Sequence, residues 1–200
     1  MKILNDKTLQ YYQNHAAEYT NSTLTADMSM NRNRFTERLP ENAYVLDFGC
    51  GSGRDTKVFL DLGFQVDAID GSEELCKIAS DFTGIQVKHM LFQELEDENK
   101  YDGIWACASI LHLPKDELLL VFNRIATALK EGGILYTCFK KGTFEGVRDG
   151  RYFSYFTESA LMEYWKNVPA LQITDTWITR DVRPSREEEQ WINLLAKQQS

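Results

Sequence analysis

Residues 44–53 read YVLDFGCGSG, a short apolar run ending in Asp47 and Phe48, then glycines at alternate places, Gly49, Gly51 and Gly53. An apolar run of this length bounded by turn residues reads as a strand buried on both faces, and the glycines behind it mark a sharp turn. A helical pattern follows over residues 55–62, with Val58, Phe59 and Leu62 on one face. A strand that turns into a helix through positions without side chains lets backbone N–H groups and the helix N-terminus come close to a small ligand. The segment therefore reads as a cofactor loop.

Outward from this loop, short β-rich runs alternate with helical ones, which is the pattern of a parallel sheet covered on both faces. Strands are expected at 44–47, 64–69, 85–90, 101–106 and 134–139. Ser72 caps a second helix carrying Leu75, Ile78, Ala79 and Phe82, with Glu73 and Glu74 at its positive end. Pro114 opens a third helix, which Gly132 and Gly133 are expected to stop. The stretch KKGTFEGVRDGRYF (residues 140–153) reads as a loop, and residues 157–166 as a short helix. Two last strands, 171–179 and 190–195, flank a charged connection with Asp181, Arg183 and Glu187 to Glu189, as in an edge hairpin. The first forty residues read as helical and precede the first strand, so they are placed to cover the ligand edge of the sheet.

Composition narrows the function. Two hundred residues with 43 % apolar and 12 % aromatic content suit one domain with an ample core. The divisions expected within residues 1–200 are a helical cover (1–40), a cofactor-binding core (41–140) and a substrate-side region (141–200). A formal charge of −8 disfavours nucleic acid as a partner, because phosphate backbones are held by clustered Lys and Arg. No stretch approaches the roughly 20 apolar residues that cross a bilayer. The opening MKILNDKTLQYYQNHAAEYT turns polar too soon for a signal peptide, so a cytoplasmic protein without membrane partners is expected. Cys50, Cys76, Cys107 and Cys138 form no CxxC pair, so the expectation is reduced thiols and no metal.

A dinucleotide fingerprint begun at Gly49 needs a glycine at position 54, where this chain has Arg54. Begun instead at Asp47, the run DFGCGSGRD resembles motif I of the Rossmann-like S-adenosylmethionine methyltransferases. Asp70, with Gly71 after it, ends the second strand a little over 20 residues beyond Gly49, where such folds place an acid on the ribose hydroxyls. MLFQEL at 90–95 follows the third strand, where Phe92 and Gln93 match the adenine-facing position of that family. YDGIWACASILHLP at 101–114 resembles its fourth-strand motif, with Cys107 toward the methionine part of the cofactor. The chain is similar to small bacterial methyltransferases, including relatives labelled for tellurite resistance.

The resemblance implies an α/β, doubly wound seven-stranded sheet, order 3-2-1-4-5-7-6, with strand 7 antiparallel. It implies S-adenosyl-L-methionine as cofactor, bound by Asp47, Gly49, Cys50, Gly51, Gly53, Asp55, Asp70, Gly71, Phe92, Gln93 and Cys107. The function expected is in-line methyl transfer to a small-molecule acceptor by a monomer or homodimer. His112, near the end of the fourth strand, is the candidate base, against a packed structural histidine. Tyr11, Tyr12 and Tyr19 are candidates for a lid or acceptor wall, against ordinary core packing. Arg148 and Arg183, with Arg151 and Arg186, could hold an acidic substrate, against solvated surface charge. The competing functions are a non-catalytic cofactor-binding protein and an NAD-dependent oxidoreductase, for which no hydride-transfer pair is evident.

Overall fold

The computed structural model describes residues 2–183, 186 and 188–199, with side chains from Lys7 onward; Glu187 of the acidic run lies outside the described residues. Five strands, β1 (Tyr44–Phe48), β2 (Gln65–Asp70), β3 (Lys88–His89), β4 (Tyr101–Ala106) and β5 (Leu129–Lys140), pair in parallel in the order β3-β2-β1-β4-β5. Val45 sits opposite both Val66 and Gly103, so the cofactor strand occupies the middle of the sheet, buried on both faces as an apolar run requires.

Two further strands complete the sheet. With β6 (Glu145–Arg148) and β7 (Arg151–Ser154) set apart as a separate two-stranded hairpin, the sheet ends in β9 (Gln190–Gln198) and β8 (Leu171–Arg180). β9 runs antiparallel to both β5 and β8, so it is the one reversed strand of the seven. The order β3-β2-β1-β4-β5-β9-β8 is the expected topology, with the last two strands as the edge hairpin.

Three local expectations need correction. Residues 140–153 are not a loop, because Asp149 and Gly150 take φ of 50° and 77°, the paired positive values of a tight hairpin turn. The third helix, α6 (Lys115–Ala128), ends four residues before Gly132, since Leu129 already pairs with Tyr101. The third strand keeps only two paired residues, and both are exposed at the sheet edge.

Alternation along the strands separates two apolar layers. Leu46, Phe48 and Ile104 join Phe122 and Ile125 of α6 on one face. On the other, Val45, Trp105 and Tyr136 meet Phe59 of α4 (Arg54–Asp61) and Phe35 of α3 (Ser29–Thr36). Ser72 Oγ accepts the Leu75 amide to begin α5 (Glu73–Thr83).

The first helices, α1 (Lys2–Asn14) and α2 (Ala16–Thr23), lie across the end of the sheet where the parallel strands finish. Hydrogen bonds at Thr8 and near the C-terminal end of α1 hold it in place. Tyr152 N–H donates to Thr8 Oγ1, and Gln13 Oε1 accepts from Ser72 Oγ and the Glu74 amide. These contacts tie the cover to the β6–β7 hairpin and to the start of α5. Among the described residues no helix is long and apolar enough to cross a membrane.

Candidate active site

The glycine loop is built from positive φ angles, 88° at Gly49 and 56° at Gly51, which route the chain from β1 into α4. Four of its amides are engaged within the chain and not left for a ligand as the sequence suggested. Gly49 and Cys50 N–H both donate to the Ile69 carbonyl at 3.0 and 2.9 Å, and Gly53 N–H donates to the Cys50 carbonyl. Gly51 N–H donates to Asp70 Oδ2 at 2.9 Å, while Ser72 N–H donates to Oδ1 at 2.8 Å. The loop thus serves to aim Asp70. Each of its carboxylate oxygens receives one amide and keeps acceptor capacity for a hydroxyl. Burial raises this carboxyl above its ordinary range, against the amides that lower it.

Asp70 opens into a cavity of about 60 Å³, also lined by Gly49, Gly51, Gly71, Phe92 and Gln93. Six of the residues expected to bind cofactor therefore converge. Gln93 Nε2 donates to Glu117 Oε2 at 2.7 Å, which fixes the amide orientation, and Gln93 Oε1 is buried with no hydrogen-bond partner. A buried orphan acceptor, an aromatic ring and a carboxylate in one lining match the groups of an aminopurine nucleoside: an N–H donor for Gln93 and a diol for Asp70. Leu9, Tyr12 and Tyr19 of the helical cover close this chamber from outside.

Four expected cofactor residues lie elsewhere. Asp47 is buried behind the loop, accepting a 2.6 Å bond from Thr56 Oγ1; burial and the nearby Asp55 push its carboxyl up to about 7. Asp55 accepts from Arg32, from Arg54 and, at 2.9 Å, from Trp105 Nε1. Burial works to raise its carboxyl, but the two guanidiniums outweigh that and hold it below the usual range. Cys50 packs with Ala68, Cys76 and Ala79, and Gly53 lies against Ala79 and Thr83 of α5. These residues shape the loop from behind. The motif spacing cannot separate them from the residues in front.

A second cavity, about 420 Å³, adjoins the first and is lined by Tyr12, Tyr19, Cys107, His112 and Arg183 of the expected residues. Two others are misplaced. Tyr11 stacks on His15 and faces Arg151 from outside the cavity lining, and Arg148 is exposed over Phe144. Arg151, named with Arg148 as a candidate, does line the cavity, beside Lys140, Phe153 and Trp191, which the sequence did not single out. The hairpin turn at Asp149–Gly150 separates the two arginines, because it carries the residue after the glycine inward.

His112 is held at both ring nitrogens. Nδ1 donates to the Tyr152 carbonyl at 2.7 Å, so Nε2 is the acceptor for the Tyr12 hydroxyl at 2.8 Å. Burial, with Arg151 and Lys140 nearby, lowers its pKa to about 4 and keeps the ring neutral. The Cys107 thiol is raised well above its ordinary value by hydrogen bonding with the free Cys138 thiol and by burial, so it stays protonated. Tyr12, Tyr19 and Ala108 border both cavities, and Ala108 is left-handed at φ 51°. That strained residue lies two positions beyond β4, at the junction of the chambers.

A family profile described as a methyltransferase domain matches residues 20–168. A ubiquinone biosynthesis O-methyltransferase from Xanthomonas axonopodis pv. citri is 34 % identical over 105 residues, 48 % of this chain and 43 % of the relative. An N-terminal Xaa-Pro-Lys N-methyltransferase from Xenopus laevis is 35 % identical over 102 residues, 47 % of this chain and 46 % of the relative. The matched segment thus spans less than half the length of these curated relatives. Among solved structures, 1,6-didemethyltoxoflavin-N1-methyltransferase from Burkholderia thailandensis, with its didemethyltoxoflavin and S-adenosylhomocysteine bound, shares the fold at a TM-score of 0.75. That likeness covers 96 % of this chain and 85 % of the other at 23 % identity.

Proposed function

This chain belongs to the methyltransferase domain family, and we propose that it transfers a methyl group from S-adenosylmethionine to a small-molecule acceptor held in the larger cavity. The observation that carries the reading is the shared wall. Tyr12, Tyr19 and Ala108 stand between a chamber lined by Asp70, Phe92 and Gln93 and one of about 420 Å³. The size of the second falls within the roughly 300–1,000 Å³ of small-molecule pockets.

The cofactor supplies a methyl group already activated on a sulfonium, which leaves the protein the tasks of alignment and water exclusion. Aligning two bound reactants is worth roughly 7–11 kcal/mol. Asp70 would hold the ribose hydroxyls and Gln93 Oε1 the adenine amino group, with Gly49, Gly71 and Phe92 in contact around them. Tyr12 and Tyr19, carried by the helical cover, would close over the junction. His112 is a positioning residue in this reading, because its Nε2 already carries Tyr12. A proton leaving an acceptor hydroxyl would reach the Tyr12 oxygen as the Tyr12 proton passes to Nε2. With His112 near 4, such a relay is a weak base, suited to an acceptor whose proton departs late.

The net charge of −8 argues against a nucleic-acid substrate. The test is to follow labelled methyl from S-adenosylmethionine into a panel of small phenols, amines and acids, alongside N-terminal peptides. Label is expected in small molecules. Label confined to peptides would reject the small-molecule reading, and bound cofactor with no transfer to any acceptor would favour a non-catalytic binding protein.

A further inference from the structure

Resting on the methyl-transfer reading above, we propose that the acceptor is a small carboxylate with an apolar body, its charge received by Arg151 in the wall of the larger cavity. Arg151 is 9 % exposed, and its Nε is buried with no hydrogen-bond partner. Among the described residues no carboxylate pairs with it. The other cations of the same wall are differently placed: Arg54 is paired with Asp55, Arg183 with Asp181, Lys140 and Arg186 with Glu189, and Arg180 is exposed.

What surrounds Arg151 is aromatic. Its guanidinium carbon lies 4.5 Å from the centroid of the Tyr11 ring, 5.2 Å from Phe153 and 6.0 Å from Tyr12. Ring faces orient a cation and recover part of its lost hydration, but they do not neutralise it. A buried cation without a counter-ion is a standing cost that an incoming anion removes. The planar fork of the guanidinium matches a carboxylate by two parallel hydrogen bonds. The charge count favours a monoanion over a phosphate, since the buried neighbour Lys140 is already balanced by Glu189.

The remainder of the cavity fixes the rest of the molecule. Met28, Met30, Leu111, Phe153, Ile178 and Trp191 offer apolar surface. Arg151 adjoins Tyr12, which borders both chambers, so an acid held there lies next to the point of transfer. A protein of net charge −8 that leaves a buried cation unbalanced in one cavity is selective for anions there and not elsewhere.

The experiment is calorimetric titration of the full chain, saturated with S-adenosylhomocysteine, with 4-hydroxybenzoate, 4-hydroxybenzamide and inorganic phosphate. The acid is expected to bind at least about ten-fold more tightly than the amide and than phosphate. Arg151→Met should erase the preference while the affinity for S-adenosylhomocysteine stays unchanged. Equal affinity of the native chain for acid and amide, including no binding of either, overturns the proposal whatever the variant's folding. So does tighter binding of phosphate, or an acid preference that survives in Arg151→Met. Loss of S-adenosylhomocysteine affinity in that variant would reassign Arg151 to the amino-acid tail of the cofactor. A native chain that does not bind S-adenosylhomocysteine at all would remove the methyl-transfer reading itself, and this proposal with it.

Discussion

The hydroxyl of Tyr12 lies 2.8 Å from Nε2 of His112, one hundred residues further along the chain, and this bond fastens the helical cover to the short turn 110–112 that follows the fourth strand. Tyr12→Phe would leave the imidazole nitrogen buried without its donor. We expect a stability loss of about 1–3 kcal/mol in urea unfolding. Because Tyr12 borders both chambers, turnover should fall further than cofactor affinity does, as read by S-adenosylhomocysteine release and by titration of the cofactor.

The same histidine gives a pH dependence with a definite sign. Its pKa is lowered from 6.5 to about 4 in the folded chain, so the unfolded state binds more protons across that interval. The contribution of His112 is fully present above pH 6.5 and is lost as pH falls toward 4, on the order of 3 kcal/mol over the window. Asp47, raised to about 7, contributes in the opposite direction over much of the same range. The comparison is therefore between the native chain and His112→Asn, in which Asp47 is unchanged. Urea unfolding between pH 6.5 and 4.5 should show a shallower fall with acidity in the variant; parallel curves would reject the neutral buried histidine.

The cofactor strand, its glycine turn and Asp70 were legible because each is a local pattern: an apolar run, missing side chains, an acid at a strand end. What the pattern could not tell was which way each residue faces. Asp47 and Asp55 belong to the same motif as Gly49, yet their environments are made by Thr56, Arg32 and Trp105, and Arg32 and Trp105 come from other elements. Tyr11 and Tyr12 are neighbours on one helix, about 100° apart around its axis, so only the docking of that helix decides that Tyr12 enters the cavity. Arg151 was named with Arg148 as a candidate for an acidic substrate, and what separates the two was hidden for a related reason. Reading 140–153 as a loop overlooked Asp149–Gly150 as a hairpin turn, and with it the strand that carries Arg151 inward.

Asp55 offers a direct test of the correction made to its role. Its two oxygens take Arg32, Arg54 and the Trp105 indole, joining α3 and α4 to the central sheet. Asp55→Asn removes the charge and leaves two arginines facing a neutral amide in a buried site. A loss of about 3–5 kcal/mol is expected from chemical denaturation. Cofactor affinity, measured at a temperature where the variant remains folded, should change little, whereas a ligand role for this carboxylate would show as a large drop.

Gly49 and Gly84 allow backbone strain to be separated from crowding. Both have φ in the left-handed region, 88° and 81°. A Cβ on Gly84 would meet nothing within 4 Å, while one on Gly49 would lie 2.5 Å from the Ser109 Cβ. Gly84→Ala should therefore cost about 1–2 kcal/mol, the conformational penalty alone. Gly49→Ala should cost clearly more, since Ser109 is anchored by its own bond to the Phe48 carbonyl and cannot swing aside. Equal losses in the two variants would mean that the loop yields to the added methyl.

Asp70 and Gln93 divide recognition of the nucleoside between its two ends, and each can be examined against the group it would face. Asp70→Ala should weaken S-adenosylhomocysteine binding by about 1–3 kcal/mol. The loss should be much smaller with an analogue lacking the ribose hydroxyls, because the native chain gains nothing from Asp70 there. At the other end, Glu117 holds Gln93 Nε2, so the free Oε1 can only accept. An adenine amino group satisfies it, whereas the carbonyl of a hypoxanthine analogue would set two acceptors against each other. The native chain should prefer the adenine compound by at least about 1 kcal/mol, and Gln93→Leu should lose most of that preference while still binding the purine against Phe92. A preference retained in Gln93→Leu would place the amino group elsewhere and reverse the orientation of the nucleoside between Asp70 and Gln93.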